Sequence, residues 1–510
     1  DSGVLQAALA PWLGRSVGLA ELRQATVEIE RLYRSQGWLA RANLPPQDVS
    51  EGIVRIDVTE VRMGRVVVRT DGPTAPAPTL QARAQALLQQ SLPTGQPLNT
   101  AALERATAIA DDLPGLRASS SLQAGTEPGT ADVLLQLRPD KPWRIDTTLD
   151  NGGIRATGSE RAYAALTLNA PFGWGEQFKL DVGESRGSDY LRVAASAPLV
   201  WPGQAAWSGW RVGVDASALR YKVLDKYNTT TGLPPKGSGQ TVGVSLTYPL
   251  VASPLSRWQL VLGYEARRLA NNDDNLTVGL RERTSQARID GASVGVQGSH
   301  IDRLGGGGAN YASLVYSQSR LRLDGSPAQY LADDALNADT QGHFGKLRWS
   351  ASRVQVLPDE WSLLLQGSGQ WASRNLDASE RFYLGGINGV RAYPASEGSG
   401  SSGQLLSLAL RGGLQRLGSQ WQLSAFYDWG QVQQFVDNQR PGGGALSGRN
   451  RITLAGHGLS LEWRGENNGL SARLTWAARD GHNPLATPNG KDTDGSHVRN
   501  RFWLSTTLSL

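Results

Sequence analysis

The sequence has no cysteine, one methionine and only five histidines in 510 residues. Without cysteine there are no disulfides, no thiolate metal sites and no thiol nucleophile. The histidines (His300, His343, His457, His482 and His497) form no His-Glu-x-x-His spacing, and the Gly-x-Ser-x-Gly run at Gly291 to Gly295 lies inside an expected strand rather than at a strand-to-helix elbow. The common zinc signature and a serine-hydrolase elbow in its proper setting are therefore missing. No run of about 18 apolar residues exists, which excludes helical membrane spans. It does not exclude a membrane β-barrel, where only alternate residues face lipid. Blocks of five or six like charges are also lacking and the net charge is only +5, so nucleic acid is a poor candidate partner. The chain starts at Asp1 without methionine or an apolar leader, as expected after processing or trimming.

What is abundant is glycine, with 60, alongside 16 Trp and 13 Tyr at a mean hydropathy of −0.34. A soluble all-β fold and a lipid-embedded barrel share this composition, so patterning has to separate them. From Trp143 onward helical periodicity nearly vanishes and apolar and polar residues alternate. The expected strands are 143–150, 160–169, 176–184, 191–198, 208–221, 239–248, 257–270 and 284–300. They continue at 308–320, 342–355, 361–373, 403–414, 420–429, 452–464, 468–478 and 499–510. Trp421, Leu423, Ala425, Tyr427 and Trp429 share one face, as do Phe502, Leu504, Leu508 and Leu510. The later connections alternate long (222–238, 271–283, 321–341, 374–402, 430–451, 479–498) with short (249–256, 301–307, 356–360, 415–419, 465–467). Barrels of the outer membrane keep short turns at the periplasmic rim and long loops outside. Tryptophans such as Trp143, Trp174, Trp201, Trp207, Trp361 and Trp371 fall near strand ends, as an interfacial girdle requires.

Residues 1 to about 138 read differently. Leu22, Ala25, Ile29, Leu32 and Tyr33 follow helical spacing up to Gly37, and strands are expected at Trp38–Leu44 and Ile53–Glu60. The pattern repeats as a strand at Val66–Val68, a helix over Leu80–Gln90, and a helix capped by Asn99 with Leu103, Ala106, Ala110 and Leu113 on one face. Strands at Arg117–Gln123 and Asp132–Leu137 follow. This describes two small α/β units of order β-α-α-β-β. The first is expected to lack its opening strand, because Asp1 already stands at the start of a helix.

One connection carries most of the functional signal. Gly385 to Gly403 puts Val390, Arg391, Ala392 and Tyr393 in a compact tip, with glycines on both sides and Pro394 as a stop. Loops of that length between strands are functional or disordered, and the tip reads equally as a docking device or as a solvated surface arginine. Strand parity makes it the sixth external loop. Gln422, Ser424, Phe426 and Asp428 oppose the lipid face of their strand, so Asp428 is a lumenal carboxylate available to Arg391 if the loop folds inward.

With these motifs in order, the chain resembles the two-partner secretion (TpsB-type) outer-membrane transporters. That family exports haemolysins, filamentous haemagglutinins and contact-dependent-inhibition toxins. Val390-Arg391-Ala392-Tyr393 is similar to the Val-Arg-Gly-Tyr/Phe loop signature of the wider superfamily, which also contains barrel-assembly proteins. Phe426, Asp428 and Gly430 match its strand-thirteen signature, whose Asp pairs with the loop arginine. Asp150, Asn151, Gly153, Thr157, Gly158 and Arg161 match the first barrel hairpin, and Leu44-Pro45-Pro46-Gln47 the end of the first POTRA domain. The chain departs at Ala392, where Gly is usual, at Val61, where Gly commonly follows Glu60, and at Leu510, where an aromatic often ends the barrel.

The resemblance implies two periplasmic α/β POTRA domains, 1–62 (first strand and N-terminal plug helix absent) and 63–139. A 16-stranded antiparallel transmembrane β-barrel, 140–510, follows, with loop 374–402 folded inward. It implies an outer-membrane pore of a Gram-negative bacterium, POTRA domains in the periplasm, that exports a large exoprotein without ATP. The exoprotein's N-terminal secretion domain would bind the POTRA domains; the barrel would be monomeric, with lipid around it and no nucleic acid. No enzyme activity, cofactor or metal is expected. An outer-membrane assembly factor is the alternative, and a barrel-embedded hydrolase, its triad drawn from separate strands, a distant one. Asp492-Thr493-Asp494-Gly495 hints at calcium but lacks the further carboxylates of a calcium loop.

Overall fold

The computed structural model describes residues 2–72, 74–200, 207–224, 234–275, 280–414, 420–466 and 469–510. Sixteen strands close into one antiparallel barrel. In chain order they are β1 (Trp143–Asp150), β2 (Arg161–Asn169), β3 (Gln177–Ser185), β4 (Ser188–Pro198), β5 (Arg211–Lys222), β6 (Lys236–Ala252), β7 (Ser256–Asn275) and β8 (Leu280–Asp302). Then come β9 (Gly308–Arg322), β10 (Gly342–Val356), β11 (Ser362–Ala372), β12 (Ser402–Gly413), β13 (Trp421–Gln433), β14 (Arg451–Arg464), β15 (Leu470–Arg479) and β16 (Asn500–Ser509). Closure removes the free sheet edges that lipid could not satisfy.

The β16–β1 seam pairs only from Ser505↔Asp150 to Ser509↔Asp146, the shortest ladder in the wall among the described residues. Side chains extend it. The Thr148 and Thr507 hydroxyls meet at 3.0 Å, and the Asn151 side chain donates to the Phe502 carbonyl and accepts from the Leu504 amide.

The connection expected at 271–283 is largely strand, because the β7–β8 ladder runs out to Asn275↔Leu280. Above the membrane both sheet faces are wet, so the polarity alternation that marks a strand disappears while the pairing continues. For the same reason β6 begins at Lys236 opposite Lys222, and β13 and β14 reach Gln433 and Arg451. The connection 415–419, part of 465–467 and Trp201 lie outside the described residues. Loop 323–341 holds a helix, Ala328–Leu336.

Ahead of the barrel lie helices α1 (Ser2–Leu9) and α2 (Leu19–Ser35), with a two-stranded ladder of Ala40–Asn43 and Asp57–Glu60. The strand expected from Ile53 starts only at Asp57. The Gln47 side chain accepts from the Arg55 amide at 2.6 Å and donates to its carbonyl at 2.7 Å, replacing a neighbouring strand. The second unit is complete. Strand Arg62–Thr70, α3 (Pro78–Ser91), α4 (Thr100–Asp111) and strands Leu116–Ala124 and Thr130–Pro139 form a three-stranded sheet, and Asn99 caps α4 through the Ala102 amide.

The apolar core of this second unit continues into the barrel. Trp207, in the β4–β5 connection, and Ala252, the last residue of β6, are buried with Leu80, Ile109 and Leu113. Trp207 is thus a plug between unit and barrel rather than part of a girdle, whereas Trp143, Trp174, Trp361 and Trp371 are exposed at the wall. Arg105 of α4 donates to the carbonyls of Pro249 and Leu250 at 2.6 and 2.8 Å. Arg257 of β7 answers, donating to the Ala108 carbonyl at 2.8 Å and pairing with Asp112 at 2.6 Å.

Candidate functional site

The loop between β11 and β12 lies inside the barrel. Its entry and exit pair as a short ladder, Phe382–Tyr383 with Ser399–Gly400. Beyond it the Leu384 and Gly385 amides donate to the carbonyls of Gly398 and Glu397, and the tip folds back as the Val390 amide reaches the Leu384 carbonyl at 2.7 Å. Positive φ falls on Gly386, Ser396 and Gly398 and not on Ala392, so the alanine costs the turn nothing. Leu384, Val390, Ala392 and Tyr393 are buried with Phe426 and Val432 of β13 and Ile452 and Leu454 of β14.

Strand alternation aims Phe426, Asp428 and Gly430 into the lumen, and the three meet different parts of the tip. Asp428, fully buried, accepts from Arg391 three times: backbone amide at 3.1 Å, Nε at 2.8 Å and Nη2 at 2.6 Å. Ser407 of β12 donates to the same carboxylate at 2.8 Å and accepts from Arg391 Nη2 at 3.1 Å. The guanidinium carbon lies 3.3 Å from the centroid of the Phe426 ring. The Arg391 carbonyl accepts from Trp503 Nε1 of β16 at 2.8 Å. At Gly430 a Cβ would come within 2.7 Å of Leu384 and 3.3 Å of Val390. A Cβ at Gly456 of β14 would stand 2.5 Å from that of Ala392. The wall is planed to backbone where the tip presses on it.

The first-hairpin residues are held mainly within the wall, and the hairpin approaches the loop at Gly152. Asp150 accepts from the Gly152 amide at 2.7 Å and from Arg161 Nε at 2.8 Å, closing the mouth of the hairpin. A Cβ at Gly153 would collide with the Gly158 carbonyl at 2.3 Å, and Gly158 itself has a φ of +114°. The Thr157 carbonyl accepts from Gly187 and Ser185, tying the hairpin to the β3–β4 turn, and Asn151 is engaged at the seam. A Cβ at Gly152 would come within 2.7 Å of Ile387 in the loop tip.

Sequence reasoning missed two further fastenings. At the loop's entry, buried Glu380 accepts from Arg267 of β7 at 2.7 Å and from Lys346 of β10, while Gln370 holds its carbonyl at 2.9 Å. At its exit, fully buried Glu397 accepts from Asn483 at 2.5 Å and from the amide and hydroxyl of Thr493, all in the last external loop. Asp492 of that loop is gripped by Arg479 at 2.9 Å on both oxygens and by Arg501 at 2.8 Å. Its oxygens are occupied by arginines and Asn483, an arrangement unlike a calcium loop. The available signal was weak: Glu397 is the lone carboxylate of the Gly/Ser-rich exit half, whereas Glu380 shares the entry half with Asp377.

Below the tip a cavity of about 500 Å³ opens between Arg391, Ser350, Ser407, Arg411, Glu462 and Arg473. Its lining is mixed in charge and rich in hydroxyls. Such a surface can exchange hydrogen bonds with an unfolded backbone, its polar groups interrupted by apolar side chains such as Leu364, Ile387 and Leu405.

Comparison with known proteins agrees with this architecture. The model of the haemolysin secretion/activation protein family ShlB/FhaC/HecB matches residues 129–461, and that of the ShlB-type POTRA domain matches residues 1–60. The heme/hemopexin transporter protein HuxB of Haemophilus influenzae (strain 86-028NP) is 26% identical over 457 residues, covering 89% of this chain and 77% of that protein. The outer membrane transporter CdiB of Dickeya dadantii (strain 3937) is 24% identical over 405 residues, 77% of this chain and 66% of its own. The solved structure of CdiB from Escherichia coli superposes with a TM-score of 0.74 at 20% identity, over 100% of this chain and 88% of that one. With a closed sixteen-stranded barrel, α/β units on its periplasmic side and a family model covering more than half its length, the chain belongs to the ShlB/FhaC/HecB family of outer-membrane secretion proteins.

Proposed function

We propose that this protein exports a large partner exoprotein, an adhesin, cytolysin or growth-inhibition toxin, through its own barrel. The two α/β units capture the partner's N-terminal secretion domain in extended form in the periplasm. A sheet edge there, such as strand Leu116–Ala124, accepts a further strand through backbone hydrogen bonds with little demand on sequence. The polypeptide then enters the polar lumen, where its amides are not stranded in lipid.

The observation that carries the reading is the sixth external loop, folded into the lumen and clamped by Arg391 on Asp428. A long loop held inside by a buried ion pair narrows the lumen, as suits a conduit that stays shut until cargo arrives. The test is co-expression with the exoprotein in a strain lacking this transporter. Secretion should require the loop, and deleting Gly386–Ser401 should leave an inserted, heat-modifiable barrel that exports nothing. General outer-membrane protein levels should stay normal when the protein is depleted; their collapse would indicate an assembly factor instead.

A further inference from the structure

On the external half of β7, β8 and β9 the outward face stops being apolar. Going outward, β7 presents Leu262, Tyr264, Ala266 and then Arg268; β8 presents Val294, Ala292, Asp290 and then Arg288; β9 presents Leu314, Tyr316, Gln318, Arg320 and Arg322. The facing is secured by what lies opposite. Ala287, Ile289 and Leu321 point inward and are buried with Leu376 and Phe344.

The arginines stand side by side. Arg268 is directly opposite Arg288, and Arg288 directly opposite Arg322. Arg320, one step below, lies opposite Asp290 and His343. Like charges in direct cross-strand pairs are destabilising, and among the described residues one anion serves the group: Asp290, which pairs with Arg322. Arg268, Arg288 and Arg320 have no ion pair among the described residues. The Nε atoms of Arg288 and Arg322 are buried without a hydrogen-bond partner. Among the described residues the cluster carries four arginines to one carboxylate, so an anion from outside the chain would be held favourably.

We infer that this cluster is a binding site for the phosphorylated sugar headgroup of an outer-leaflet glycolipid of the lipid A type. Tyr264 and Tyr316, exposed on the wall, mark the aromatic level at the external interface. Arg268 lies four residues beyond Tyr264, roughly 13 Å along the strand, which is headgroup height. The cluster faces lipid rather than the lumen, so cargo in transit does not meet it. Guanidinium forks match phosphate oxygens in a bidentate way, and the apolar residues below offer the acyl chains a seat.

The experiment uses the full chain, delipidated in nonionic detergent, with diphosphoryl lipid A in mixed micelles read by native mass spectrometry. The wild type should retain one glycolipid. The triple variant Arg268→Gln/Arg288→Gln/Arg320→Gln should bind about a hundredfold more weakly, as expected for three interfacial cations. The triple lysine variant should keep most of the affinity. If the glutamine triple fails the heat-modifiability check for a folded barrel, Arg288→Gln alone and the lysine triple carry the test, with the single change weakening binding and the lysine triple retaining it. Equal binding by the glutamine variants, or equal binding of the dephosphorylated glycolipid, overturns the proposal. Displacement by millimolar inorganic phosphate would make it a free-phosphate site, and an arginine-dependent dimer would make it a contact between copies; either also overturns it.

Discussion

Gly430 of β13 faces Leu384 of the inward loop so closely that a Cβ on the glycine would come within 2.7 Å of the leucine methyl. The loop is therefore seated against backbone, and its position can be tested by adding atoms to the wall.

Gly430→Ala should strain the seat by about 1–3 kcal/mol, and Gly430→Val should displace the tip. The absence of cysteine makes the readout clean, since Ser401→Cys introduces the only thiol, at a fully buried site. Maleimide labelling of that thiol on intact cells should be slow in the parent and faster in Gly430→Val, with heat-modifiable barrel mobility unchanged. Identical labelling rates would mean the loop does not rest on Gly430.

Removing Arg391 strands a fully buried carboxylate. Arg391→Ala should cost the loop's closed position about 3–5 kcal/mol, the range for breaking a buried pair. Asp428→Ala should cost a similar amount. Both should impair export, and the double variant should be little worse than either, because the shared interaction is lost only once. Additive losses in that cycle would show that the two side chains act separately.

Glu397 should behave as a second fastening. Glu397→Gln keeps the shape but removes the charge that Asn483 and Thr493 donate to. Ser401→Cys labelling should quicken in this variant while Arg391 still holds the tip, and combining it with Arg391→Ala should open the loop further than either alone. No change in labelling for Glu397→Gln would leave the exit of the loop without a role for its carboxylate.

The joint between the second α/β unit and the barrel makes a contrasting pair of truncations. Deleting 2–62 should leave a stable barrel that captures the partner more weakly. Deleting 63–139 as well exposes Trp207 and Ala252 and leaves Arg257 without Asp112, so the barrel's melting temperature should fall. Equal thermal stability of the two truncations would mean the shared core adds nothing.

The sixteen strands are legible in the sequence because one face of each meets lipid, and alternation survives wherever that holds. It fails outside the membrane, which is why Asn271 to Asn275 read as loop yet pair with β8. Alternation alone also aims Asp428 inward. Nothing periodic marks Glu380 or Glu397, because loop residues have no repeating environment. Their partners Lys346, Arg267 and Asn483 come from strands and loops far away in the chain. Trp207 misled for a related reason: a tryptophan at a strand end serves a membrane interface or a domain joint equally well, and only the neighbouring unit decides.

The glycine seats also limit how the protein can be re-engineered. Gly430 and Gly456 are cut to the outlines of Leu384, Val390 and Ala392, so loop and wall form a matched set like a key and its wards. A loop transplanted from a relative with bulkier side chains at those positions would meet bare backbone that cannot yield. Functional chimeras should therefore exchange the loop together with β13 and β14, and barrels that swap the loop alone should insert normally yet stay idle.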